Sequence, residues 1–101
     1  MIFTFILIDK PGAAELRLQV RPAHKVYLEA VEDRIAFAGP LTHDDGSTML
    51  GSLLAIEFES REAAHAWLSN EPFVLSGLYA STTVHAFVNR WPQKAGFPAT
   101  H

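Results

Sequence analysis

His24 stands in the run Arg21-Pro22-Ala23-His24, and that setting makes it the first candidate for chemistry. Proline is welcome at the first position of a helix. If Pro22 opens one, His24 falls in its first turn, where the positive end of the helix dipole favours a neutral imidazole able to accept a proton. Glu71, held between Asn70 and Pro72, is the second candidate. It closes a helix whose C-terminal end is already negative, so a carboxylate there gains from a partner. A carboxylate bonded to one imidazole nitrogen fixes the tautomer and leaves the other nitrogen free as a general base. Spacing alone does not bring Glu71 to His24. Taken singly, a lone histidine is more often a capping or half-buried one, and an acidic residue ahead of a rigid Pro turn is more often solvated.

Arg17 and Arg21 lie one helical turn apart on the segment leading to His24, where they could bind an anionic or phenolate group through forked hydrogen bonds. They could equally be surface charges paired with Glu15 or Glu29. Ser52 interrupts an apolar strand face, so its hydroxyl either bonds a neighbouring backbone group or points into a cavity. Gly51 beside it permits close approach of another backbone. The remaining histidines are weaker candidates. His43-Asp44-Asp45 sits in a turn without the spacing that fixes a metal, His65 falls on the polar side of a helix, His85 lies in a strand, and His101 is terminal. There is no Gly-rich phosphate loop, dinucleotide fingerprint or Gly-x-Ser-x-Gly elbow, so neither cofactor nor metal is expected.

The elements that would hold these residues are legible from periodicity. Met1 to Ile8 is apolar at both alternating sets, as in a strand covered on both faces. It lacks the basic start and the cleavage site of a targeting signal, and it is too short to span a bilayer. Ala13–Val20 is rich in helix formers, and Pro22 predicts a new main helix from there to about Asp33, with Ala23, Tyr27, Ala30 and Val31 as its buried stripe. Ile35–Ala38 reads as a short strand ended by Gly39-Pro40, and Asp45-Gly46 as a hairpin turn. A strand follows from about Thr48 to Glu59. Ser60 then caps a second helix with Ala63, Ala64, Trp67 and Leu68 inward. Asn70-Glu71-Pro72-Phe73 breaks that helix, a short turn ends near Gly77, and Tyr79 to about Trp91 is the last strand. Pro92 to His101, without periodicity, reads as a tail, poorly ordered or a docking arm, after a single domain over 1–91.

The order β-α-β-β-α-β is that of a ferredoxin-like α+β unit with a four-stranded antiparallel sheet. Its two helices cover one face of the sheet, so a second copy of the chain is the economical cover for the other, and a homodimer is expected. The 49% hydrophobic content suits a dimer that buries both faces. Eight Lys and Arg against eleven Asp and Glu argue against a nucleic-acid partner. No cysteine is present, which removes thiol nucleophiles, thiolate metal sites and disulfides. A compact cytoplasmic domain without a membrane segment is the expectation.

Several of these segments, in order, resemble the YciI (YCII-related) family. Arg21-Pro22-Ala23-His24 begins the likeness. It continues through Phe37-Ala38-Gly39-Pro40, Gly51-Ser52, Glu57-Phe58-Glu59-Ser60 with Ala63, Ala64 and Trp67, and Asn70-Glu71-Pro72-Phe73-Val74 with Gly77-Leu78-Tyr79. The resemblance implies a dimeric α+β barrel whose site is a His-Asp dyad, matching His24 and Glu71. It also implies the chemistry of a branch that eliminates chloride from chlorinated hydroxyhydroquinones. There the dyad starts proton transfer and a proline orients it, which matches Pro72. A helical arginine and a strand serine that bind substrate match Arg17 and Ser52. Glu71 replaces the family's Asp, and its extra methylene displaces the carboxylate by roughly one bond length, where about 1 Å of misplacement can cost about 100-fold in rate. Two functions follow: a cofactor-independent lyase or isomerase acting on a small cyclic hydroxylated compound, or a non-catalytic small-ligand binder or accessory protein of the same fold.

Overall fold

An uninterrupted apolar strand belongs at the centre of a sheet, and in the computed structural model, which describes residues 1–92, Ile2–Asp9 forms the inner strand β1. After it come helix α1 (Ala14–Glu29), a 3-10 turn (Glu32–Arg34), β2 (Ile35–Thr42), β3 (Met49–Glu57), helix α2 (Arg61–Ser69), the one-turn helix α3 (Pro72–Leu75) and β4 (Tyr79–Phe87). The sheet is antiparallel with strand order β2-β3-β1-β4. The tail expected from Pro92 onward lies, apart from Pro92, outside the described residues. Among the described residues no helix is long and apolar enough to cross a membrane.

Strand alternation divides β1 between two environments. Phe3, Phe5 and Leu7 are buried beneath the helices, and join Leu54 and Ile56 of β3, Ala64 and Leu68 of α2, and Val31 in one core. Ile6 and Ile8 point to the other face and remain 37% and 39% exposed. Phe37 and Phe87, from the two edge strands, meet edge to face at 6.1 Å.

Helix α1 departs from the expectation of two segments, because Pro22 lies inside one continuous helix. A proline there removes a backbone hydrogen bond and costs about 3 kcal/mol. Pro22 is exposed, however, and the opposite side of the same rod carries Leu16, Arg17, Val20, His24, Tyr27 and Leu28, all buried or half-buried. Two separate segments could not present that face to the sheet together. The inward stripe is therefore shifted from the expected one, and Ala23 and Ala30 are exposed. His24 sits more than two turns from Ala14, so the dipole at the helix N-terminus, which acts within the first turn, does not reach it.

Strand β2 also runs further than expected, through Gly39 and Pro40, which pair with Leu53 and Ser52. As an edge strand it has one side of its backbone unpaired, where a missing N–H costs no ladder bond. The turn between β2 and β3 is built as its composition suggests. Gly46 has φ +76° and donates to the His43 carbonyl at 2.9 Å, while His43 N–H donates to Thr48 O at 2.9 Å. Asp45 Oδ1 accepts from the backbone N–H of Ser47 and Thr48, and these bonds hold its carboxyl below the usual range. Ser60 caps α2 by accepting the Ala63 N–H at 3.1 Å, as expected.

Candidate functional site

Glu71 reaches the interior because of the residues on either side of it. Its N–H closes the end of α2 on the Leu68 carbonyl, and its own carbonyl accepts the Leu75 N–H of α3. Pro72, the first residue of α3, disfavours a helical conformation in the residue before it, and Glu71 is extended at φ −69°, ψ 130°. The side chain is turned inward and fully buried at 0% exposure. Its Oε1 lies 2.5 Å from Nδ1 of His24, despite the methylene that separates Glu from Asp. The other oxygen, Oε2, is buried without a hydrogen-bond partner among the described residues. The His24 ring stacks on Phe73, centroids 4.0 Å apart and planes 19° from parallel. With Nδ1 committed to the carboxylate, Nε2 is the nitrogen left for other chemistry.

A second cluster adjoins the first across Phe73. The Arg17 guanidinium lies 4.8 Å from the centre of that ring. Its Nε and Nη2 donate to the two oxygens of Asp9 at 2.8 and 3.0 Å, and Nη2 also donates to Ser52 Oγ at 2.9 Å. Ser52 Oγ in turn lies 3.0 Å from the Tyr79 hydroxyl. Gly51 is required beside it, since a Cβ there would collide with the Leu7 carbonyl of β1. Tyr79 enters the cluster through an irregularity. In β4, Ser81 pairs with Ile8 but Tyr79 with Asp9, which leaves Ala80 as a bulge. That extra residue moves Tyr79 from the open face to the helix face. Burial pushes its phenol above the ordinary 10.0, with the Glu71 charge adding to the rise and the Ser52 hydrogen bond opposing it. Tyr27, whose hydroxyl donates to the Trp67 carbonyl at 2.6 Å, is raised for the same first reason, burial, and then by Glu71.

Between α1 and the β2–β3 hairpin lies a pocket of about 790 Å³, walled by Arg17, His24 and Leu28 of α1, Pro40, Ser52 and Phe73. That is ample for a single-ring compound. Of the residues singled out from the sequence, His24, Arg17 and Ser52 face this pocket together and Glu71 stands behind His24. Pro72 is not on the wall and acts on Glu71 through the backbone. Arg21 is exposed at the rim, apart from the Arg17 cluster. Arg17 pairs with neither Glu15 nor Glu29 but with Asp9, a residue that sequence reasoning passed over although it is the sole charge on an apolar strand. Phe73 and Tyr79 were also missed. No group of three His, Asp or Glu side chains that could hold a metal forms among the described residues.

A buried carboxylate at the cap of α3 stands behind a pocket-facing histidine of α1, over one face of an antiparallel sheet, in an α+β fold. Residues 1–88 match the YCII-related domain, and the chain belongs to that family. Protein YciI of Escherichia coli is 38% identical over 94 residues, 86% of this chain and 96% of its own. An uncharacterized protein of Haemophilus influenzae is 32% identical over the same shares. Among solved structures, 5-chloro-2-hydroxyhydroquinone dehydrochlorinase (TftG) of Burkholderia phenoliruptrix, in complex with 2,5-dihydroxybenzoquinone, is similar with a TM-score of 0.81. It is 35% identical, covering 87% of this chain and 94% of that one. Rv0793 of Mycobacterium tuberculosis, at TM-score 0.51 and 15% identity over 89% and 96% of the two chains, shares the fold alone. The fold is the α+β class of the dimeric α+β barrel proteins, as the sequence led us to expect.

Proposed function

We propose that this protein is a cofactor-independent lyase or isomerase that moves a proton on a small cyclic hydroxylated compound, in the manner of a dehydrochlorinase. His24 Nε2 takes a proton from a substrate hydroxyl or an adjacent C–H. The electron pair stays in the conjugated ring until a leaving group departs with it or another ring carbon is protonated. Glu71 fixes the tautomer through Nδ1 and offsets the imidazolium charge as it forms. Pro72 sets the backbone from which Glu71 reaches inward. Ser52 and Arg17 offer hydrogen bonds to a substrate oxygen, and Phe73 gives the ring system an aromatic surface. The observation that carries this reading is the 2.5 Å contact between a fully buried carboxylate and a histidine lining an open pocket. The 35% identity to an enzyme with a dihydroxyquinone bound supports the substrate class.

The same reading has the protein acting in the cytoplasm as a homodimer, two copies covering the face on which Ile6 and Ile8 are exposed. Sedimentation that returns a concentration-independent 11.2 kDa species would overturn the dimer. For the chemistry, purified protein is to be assayed against a panel of hydroxyquinols and lactones. His24→Ala lowers turnover by roughly 10²- to 10⁴-fold, the usual worth of a positioned general base. Unchanged turnover in both His24→Ala and Glu71→Gln removes the dyad.

A further inference from the structure

We propose that the pocket binds its ring compound as an anion and that Arg21 and Lys25 are the specificity residues that read the charge. The inference deepens the reading above and rests on this pocket being the substrate site. It begins with a count of which charges are already spent. Arg17 is the most buried cation on the wall, but Asp9 engages it through two hydrogen bonds and Ser52 takes a further one. Its charge is balanced by Asp9, so what it offers a ligand is a hydrogen bond and not a net positive charge. Glu71 is likewise committed to His24.

What remains on the wall is divided along α1 and the turn after it. Arg21 and Lys25, four residues apart on the helix, line the pocket and form no ion pair among the described residues. Further along, Glu29 and Glu32 line its other end. The facing hairpin contributes Ser47, Thr48 and Met49, which carry no charge. The pocket therefore has a cationic end, an acidic end and His24 beside the cationic one. A negative group on a ring is drawn to Arg21 and Lys25 and repelled by Glu29 and Glu32. That fixes how the ring lies, and so which hydroxyl or C–H meets Nε2 of His24. A carboxylate or an ionised enol both satisfy this chemistry, and a neutral phenol does not.

The experiment compares 2,5-dihydroxybenzoate with 2,5-dihydroxybenzamide, which differ little in shape but differ in charge, by calorimetric titration at low ionic strength. The carboxylate is expected to bind about tenfold tighter than the amide, the scale of two partly solvated ion pairs. Added salt narrows the gap, Arg21→Gln with Lys25→Gln removes it, and Glu29→Gln with Glu32→Gln preserves it. Equal affinity for the two probes in the unaltered protein overturns the proposal. So does a preference that survives in the Arg21/Lys25 double variant, or a carboxylate that fails to bind at low millimolar concentration. Failure of the catalytic reading is separable. If His24→Ala leaves turnover intact while the charge preference holds, the dyad falls and the anion site stands.

Discussion

The two buried polar clusters on either side of Phe73 are built on opposite terms. Around Arg17, Nε and Nη2 meet Asp9, Nη2 also meets Ser52, and Ser52 meets Tyr79. Around Glu71, one oxygen is bonded to His24 and the other has no donor among the described residues. A buried acceptor left unpaired costs about 1–3 kcal/mol. The first cluster is thus a brace that repays the burial of its charges, while the second is held at a cost to stability. Local costs of this kind are expected at functional or strained sites, and Glu71 bears one directly behind the pocket-facing His24.

The contrast can be broken most forcefully at Asp9. Asp9→Ala leaves the Arg17 guanidinium buried and uncompensated, and we expect a loss of about 3 kcal/mol or more, read from the midpoint of urea unfolding. Glu71→Gln sharpens the comparison by moving the other way. It removes a buried charge, so stability changes by less than about 1 kcal/mol or rises, while turnover falls. A destabilisation as large as that of Asp9→Ala would mean that both clusters are braces. A loss smaller than that at Asp9 is expected at Tyr79, with no effect on turnover. Tyr79→Phe costs about 1 kcal/mol near neutral pH, the net worth of one hydrogen bond. Because folding raises the phenol above 10.0, the folded state keeps a proton that the unfolded chain releases. That contribution is whole below pH 10 and is lost as pH climbs toward the folded value. Unfolding free energies measured across the alkaline range should fall less steeply in Tyr79→Phe than in the parent, with Tyr27 accounting for part of the remaining slope.

Local rules carried the reading of the chain where one residue type decides the outcome. The β2–β3 turn follows from Asp45-Gly46, the α2 cap from Ser60, and the core strand from the run Ile2–Ile8. They failed where a tertiary demand overrides a local one. Pro22 argues for a helix start, yet the inward face from Leu16 to Leu28 holds the helix together across it. Pro40 argues for a strand end, yet an edge strand has no bond there to lose. Within the site, family likeness paired His24 with Glu71, because nothing in the sequence between them, 47 positions apart, specifies that contact. Tyr79 was hidden for a different reason. Strict alternation turns it to the open face, and only the bulge at Ala80 brings it to Ser52.

Asp9 closes the first strand and Tyr79 opens the last, yet they are partners in the sheet. A chain emerging from the ribosome therefore makes Arg17, Ser52 and His24 long before the strand that completes their surroundings exists. Contacts that span most of a sequence form late and slowly. The Asp9–Arg17–Ser52 cluster gains Tyr79 only when β4 docks against β1, so a chain interrupted before Tyr79 would carry every pocket-wall residue and still lack the group that completes this bracing.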